Sequence, residues 1–304
     1  MDITESAFEA YITYQLQDLH AYHIRPASAY DPENCLDWEI LVEFITATQP
    51  QEWSKLQRQH GSDTVKKFRQ RLVSEIKRSG ILSVLRKGIS DSGCTFSLAY
   101  FKPSTTLNPV HWDLYRKNIL SVIRQCHFST THPAESIDMV LFINGLPIFT
   151  IELKNKLTGQ NVDHARQQYR NDRKPEKSPL LEFKRCLAHF ALDDDEVYMT
   201  TRLEGLNTRF LPFNKGLEGG AGNPINPSGY PSAYLWEELF APESVLEILG
   251  SFAHLQKEIV NGRTVETLIL PRYHQRDAVR KIISHSLQHG PGHQYLIQHS
   301  AGSG

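Results

Sequence analysis

The sequence predicts an α/β protein. Two observations carry that expectation. Some segments space their apolar residues fourfold, as Phe8, Ile12 and Leu16 do, and read as helices. Others are short, dense apolar runs, as at residues 137–143 and 146–153, and read as strands. The two kinds are interspersed along 304 residues, enough for one large or two ordinary domains.

The elements follow in order. Residues 2–19 form a helix with Thr4 as its N-cap, and this helix carries Glu5 and Glu9. Helices are expected at 37–48 and at 50–60, where Pro50 suits a first turn. Another spans 62–79, opened by Ser62 or Asp63 and closed by Gly80. Its Lys66, Lys67, Arg69, Arg71, Lys77 and Arg78 make either a phosphate-facing stripe or a solvated face. Residues 80–101 read as loops and strands, with alternation at 95–101; 109–120 reads as a helix and 121–128 as a strand bearing Arg124 and Gln125. A helix is expected at 161–172 and a strand at 197–201. Between them Asp193, Asp194, Asp195 and Glu196 read as an exposed turn, because consecutive residues do not converge on one ion. Residues 214–231, rich in Gly, Pro and Asn, read as a loop, and 242–260 as a helix opened by Pro242-Glu243.

Composition excludes several classes. The chain is 40% hydrophobic and 22% charged, as soluble globular proteins are. No apolar run is long enough to span a bilayer, and residues 1–20 are too acidic for a signal peptide. Cys35, Cys94, Cys126 and Cys186 are scattered, without Cys-x-x-Cys, and read as buried or idle thiols of a reducing cytoplasm. With a net charge of −1, any DNA contact must come from local patches.

The most informative stretch is the apolar hairpin of residues 137–154. Its two strands flank Asn144-Gly145; one begins with Asp138 and the other ends in Glu152-Leu153-Lys154. Charges within apolar strands are costly unless paired or metal-bound. Two carboxylates and a lysine gathered there suit Mg²⁺ and a water activated against a phosphodiester. Thr150, Glu152 and Lys154 share one strand face. A plain two-residue turn would pair Asp138 with Ile151 and set the carboxylates on opposite faces. The active-site reading therefore predicts a bulged turn, Ile143-Asn144-Gly145, that pairs Asp138 with Thr150.

The end of the chain carries a second signal. Tyr273-His274-Gln275 opens an amphipathic helix, and Tyr295-Leu296-Ile297-Gln298 reads as a strand running into Ala301-Gly302-Ser303-Gly304. That is how a phosphate-binding loop begins, with Lys-Ser/Thr expected next. The chain thus reads as a fragment cut at the threshold of an ATPase motor.

Taken together, the chain resembles the R (restriction and motor) subunit of type I restriction enzymes over essentially its whole length. The resemblance is carried by residues 137–147, by Ile151-Glu152-Leu153-Lys154-Asn155, by residues 183–190, by Phe213-Asn214-Lys215-Gly216, by Tyr234-Leu235-Trp236-Glu237-Glu238 and by the motor motifs. It implies a nuclease domain of the PD-(D/E)xK fold over residues 1–255, with a mixed central sheet flanked by helices. The start of a superfamily 2, RecA-like motor follows at 256–304. It implies Mg²⁺ held by Asp138, Glu152 and the Leu153 carbonyl, with Lys154 orienting the attacking water. An acidic residue of the first helix sometimes joins such sites, and here Glu9 or Glu5 is placed to serve.

The family's Gln-x-x-x-Tyr is altered. Tyr169 has Ala165 four residues before it, leaving Gln167 and Gln168, with Arg166 and Arg170, as DNA-contact candidates beside Tyr169. In the motor, Gln275 matches the adenine-reading glutamine, Tyr273 or Arg272 is placed to stack on the base, and Gly302, Ser303 and Gly304 match the start of the Walker A loop. The implied partners are double-stranded DNA and the methyltransferase (M) and specificity (S) subunits, with ATP as the motor's cofactor and no membrane. The competing expectation is a catalytically silent nuclease fold that docks the motor onto DNA or its partner subunits.

Overall fold

The structure is a computed structural model and describes residues 4–218 and 220–299. It opens with α1 (Glu5–His20), capped by Thr4, whose hydroxyl accepts the Ala7 N–H. Strand β1 (His23–Arg25) follows, then a small ribbon of β2 (Tyr30–Asp31) and β3 (Leu36–Asp37). Four helices come next: α2 (Trp38–Thr48), α3 (Pro50–His60), α4 (Thr64–Ser79) and α5 (Ile81–Lys87). The last is a correction, since that stretch was expected to hold only loops and strands. Its seven residues fit between Gly80 and Gly88, too short for a periodicity to show, and bury Ile81, Leu82, Val84 and Leu85. A second ribbon, β4 (Ile89–Asp91) and β5 (Cys94–Phe96), precedes α6 (Pro109–Arg116).

The central sheet then assembles from β6 (Leu120–His127), β7 (Ser136–Ile143), β8 (Leu146–Leu153), β9 (Ala188–Leu192), β10 (Val197–Thr200) and β11 (Leu211–Pro212). Its order is β1-β6-β7-β8-β9-β10-β11. The β1–β6 and β8–β9 pairs are parallel and the other four antiparallel, so the sheet is mixed. The parallel β8–β9 crossover contains α7 (Val162–Asn171).

Both faces of the sheet are covered, which explains why β8 is buried at every position. Met139, Leu141 and Ile143 of β7 pack with α1 to α5 and residues 233–249; Val140 and Phe142 pack with Ala165 and Tyr169 of α7. The sheet is thus sandwiched between two apolar layers, the arrangement that makes strands read as continuous apolar runs. All four cysteines are free and buried.

The distal segment departs from expectation. The helix expected at 242–260 is α8 (Pro242–Glu247) plus a π-helical turn, Ile248–Phe252; β12 (His254–Val260) then pairs with β13 (Arg263–Ile269) across Asn261-Gly262. Leu255 and Ile259 are four apart and mimic a helical period, but β13 supplies a partner and the ladder wins. Helix α9 (Tyr273–His289) forms as expected. Residues 295–298 do not form the expected strand, and Leu296 is 91% exposed. A strand needs a neighbour to hydrogen-bond, and among the described residues none lies beside it.

No helix among the described residues is long and apolar enough to cross a membrane.

Candidate active site

The β7–β8 hairpin brings Asp138 and Glu152 onto one face by a route different from the expected one. The turn itself is plain: Ile143 pairs with Leu146 across Asn144-Gly145, both with positive φ, as a type I′ turn requires. Gly145 is indispensable, because a Cβ there would meet the Asp37 carbonyl oxygen at 2.2 Å. The bulge lies further along. Phe142 pairs with Pro147 but Leu141 with Phe149, so Ile148 is the extra residue. Ile148 and Phe149 consequently point into the same apolar layer. The shifted register runs on through Val140–Thr150 and Met139–Ile151, so one further pair sets Asp138 opposite Glu152. The expected partner was Thr150. The requirement of a shared face is met, but by a bulge beside Pro147, which has no N–H to give to a ladder.

The two carboxylates are buried, Asp138 at 7% and Glu152 at 0% exposure. Asp138 Oδ2 accepts the Leu153 N–H at 2.7 Å, and Oδ1 has only a long 3.5 Å contact from Gln125 Nε2. In extended backbone the N–H and C=O of one residue point to the same side, so the Leu153 carbonyl leaves toward Asp138 too. Glu152 Oε1 accepts from Arg173 Nε at 2.6 Å, whereas Oε2 is buried without a partner. Burial first, then the adjacent Asp138 charge, push the Glu152 carboxyl well above the usual carboxylate range, with Arg173 opposing.

Lys154, one residue past β8, is turned to α1: its Nζ donates to Glu5 Oε1 at 2.8 Å. Glu9 accepts from Arg124 Nε at 2.7 Å and from Gln125 Nε2 at 2.8 Å; its carboxyl is raised by burial, against those two donors. Gln125 therefore stands between Glu9 and Asp138. It holds a strained φ of +45°, and its Oε1 accepts from Ser136. Among the described residues no three His, Cys, Asp or Glu side chains are grouped to hold a metal ion.

Beneath the pair lies a buried polar chain. Thr150 Oγ1 is 2.8 Å from the Tyr169 hydroxyl and 2.7 Å from His189 Nδ1. Tyr169, expected among the DNA-contact residues, is fully buried. Around it on α7, Gln167 is exposed and Gln168 half-buried. Arg166 pairs with Asp163 and stacks on Tyr198, and Arg170 donates to the Thr208 carbonyl. On α4, Arg69, Arg71 and Arg78 are tied to Asp31 and Glu75.

The acidic turn needs correcting as well. Asp193 is fully buried rather than exposed; it accepts the N–H groups of Val162, Asp195 and Glu196.

In the distal segment, Tyr273 packs edge-on against Phe213 and Tyr234, and its hydroxyl donates to Glu238. Gln275 Oε1 accepts the Arg272 N–H and caps α9. Gly302, Ser303 and Gly304 lie outside the described residues.

Sequence reasoning missed Arg173 and Gln125 as site residues. Neither belongs to a motif; only their contacts with buried carboxylates mark them.

Comparison with known proteins supplies a family. The model described as Type I restriction enzyme R protein N terminus matches residues 4–208, more than half of the chain, so the chain belongs to that family. No curated protein matches it.

Proposed function

We propose, starting from that family membership, that this chain is the nuclease region of a type I restriction endonuclease R subunit. It hydrolyses phosphodiester bonds of double-stranded DNA with Mg²⁺. One observation carries the reading: two buried carboxylates converge from adjacent strands, and one keeps an oxygen, Glu152 Oε2, with no partner. Native proteins leave few such atoms unsatisfied; Asp91 Oδ2 is another here, so the weight rests on Glu152 facing a second buried carboxylate, Asp138. Hard oxygen donors of this kind fit Mg²⁺, and Asp138, Glu152 and the Leu153 carbonyl are the residues that would hold it. Mg²⁺, when bound, would polarise the scissile phosphate and lower the pKa of water.

The chain's own groups do the rest. Asp138 is oriented by the Leu153 N–H and Glu152 by Arg173. Lys154 is buried with its ammonium paired to Glu5, and it is the cation that would hold an attacking water. Glu9 contributes through Gln125 rather than by direct ligation, since both its oxygens already accept hydrogen bonds. Gln167 and Gln168, with Arg166 and Arg170, form the DNA-facing side of α7, and Tyr169 supports them from below through Thr150.

The wider organisation follows the same proposal. Residues 1–255 are the nuclease unit and 256–304 begin an ATP-driven translocating motor, with Tyr273 and Gln275 at its adenine site. The M and S subunits supply recognition, and the enzyme works in the cytoplasm.

The silent docking module stays as a second reading, favoured by the Lys154–Glu5 pair and by the lack of a three-residue metal group among the described residues. Cleavage by the assembled complex separates the two. Asp138→Asn and Glu152→Gln should each abolish Mg²⁺-dependent double-strand cleavage while ATP hydrolysis persists. Undiminished cleavage in both would move the active site elsewhere.

A further inference from the structure

We propose that Arg173 is a positioning residue that clamps the two carboxylate-bearing strand ends together and fixes which Glu152 oxygen is left for a cation. The proposal rests on reading the carboxylate pair as a cation site. Arg173 lies two residues past the end of α7 and is 6% exposed. Its Nε donates to Glu152 Oε1 at 2.6 Å, and Nη2 donates to the Ser136 carbonyl at 2.7 Å. Ser136 is the first residue of β7, and Glu152 is next to last in β8.

The clamp sits where the ladder gives out. The paired register of β7 and β8 runs only to Met139–Ile151. Beyond it the strands are joined by a side chain, Asp138 Oδ2 on the Leu153 N–H, and by the guanidinium bridging Ser136 to Glu152. Each end is still held on its outer side, β7 by β6 at Ile137–Cys126 and Ser136–His127, and β8 by β9 at Glu152–Ala191 and Leu153–Leu192; the two links are what tie the ends to each other and set the spacing of the carboxylates.

The guanidinium also selects an oxygen. It is a rigid planar fork, so two donors aimed at two fixed acceptors leave it little freedom. The Phe128 ring beneath, 5.4 Å from its central carbon, restricts it further. With Oε1 engaged, Glu152 can turn only Oε2 outward, and Oε2 is the atom without a partner. A lysine would keep the charge, but one ammonium on a flexible stem does not reproduce this fork.

The test is Mn²⁺ binding to the intact chain by titration calorimetry, for wild type, R173M and R173K, alongside metal-free thermal melting. R173M should weaken binding about 10- to 100-fold, the usual effect of losing a residue that orients a metal ligand. R173K, which keeps the charge and whose folding the melting checks, should also bind more weakly than wild type. Wild-type affinity in R173K would overturn the clamp, leaving charge alone as Arg173's contribution. Wild-type affinity in R173M, at a temperature where it remains folded, would make Arg173 purely structural. If wild type bound no Mn²⁺ even with a DNA duplex present, the cation-site reading itself would fall, and the clamp with it.

Discussion

Two of the buried acid groups in the molecule are built in opposite ways. At the end of the hairpin, Asp138 and Glu152 come from separate strands, repel each other, and keep one oxygen without a partner. At the β9–β10 turn, Asp193 is equally buried, yet both its oxygens accept backbone N–H groups, three in all. The first arrangement stores unmet hydrogen-bonding capacity; the second uses all of it to fold the chain. A carboxylate's burial therefore says little about its role, whereas the state of its lone pairs says a good deal.

The contrast can be broken with two substitutions. Asp138→Asn keeps an oxygen for the Leu153 N–H and removes one of two repelling charges. It should weaken Mn²⁺ binding at least about 100-fold while leaving unfolding free energy within about 1 kcal/mol of wild type. Asp193→Ala should behave in reverse. It orphans the buried Val162 N–H and the part-buried N–H groups of Asp195 and Glu196, at roughly 1–3 kcal/mol for each that water cannot reach, so a loss of about 3 kcal/mol is expected in chemical denaturation. The folded variant should bind Mn²⁺ as wild type does. If both substitutions moved both quantities alike, the two acid groups would not be distinct.

Sequence made much of this visible, and the gaps have physical causes. Asn144-Gly145 announced the hairpin, and the charges on apolar strands announced the site. The bulge was placed at the turn because turn chemistry is local. Its true position at Ile148 follows from Pro147 and from which layer Ile148 and Phe149 fill, which is a matter of packing. The same Asn-Gly signal stands at Asn261-Gly262, between β12 and β13, but the helix opened at Pro242-Glu243 was carried through to 260, and only the β13 ladder shows that it stops. Asp193 was read as exposed because runs of acid usually are. Only the fold shows that Val162, thirty-one residues away, offers it an N–H. Arg173 stood in the sequence as one more basic residue at the end of the α7 segment, and nothing marked Glu152 as its partner, since an arginine's partner across a fold is not written beside it.

A third buried titratable group sharpens the comparison by pH. His189 lies under the carboxylates, bonded to Thr150, and burial drives its pKa down from 6.5 to about 3. The unfolded chain therefore takes up a proton below about 6.5 that the folded chain refuses. Stability from this group is complete above that pH and is lost as pH falls toward about 3, by roughly 1.4 kcal/mol per unit. Between pH 6.5 and 5 the difference in unfolding free energy between wild type and His189→Gln should show this slope, the raised carboxyls of Glu152 and Glu9 being common to both. An unchanged slope in that variant would assign the proton uptake to another group.

The smallest expected effect tests whether saturation or mere proximity makes Asp193 important. Asn161 caps the same helix, α7, by accepting the Asp163 N–H at 3.1 Å, but it does so near the surface. Asn161→Ala should cost about 1 kcal/mol, the ordinary worth of an N-cap. Water can reach the freed Asp163 N–H, and Asp193 still holds the Val162 N–H. The expected ratio between the two substitutions is thus about threefold, since Asp193 holds two N–H groups of the β9–β10 turn besides the one on this helix terminus, and it is readable in a single set of denaturation curves. Equal losses would mean that the α7 terminus fails as a unit whichever acceptor is removed. Burial of the Asp193 lone pairs would then have no weight of its own.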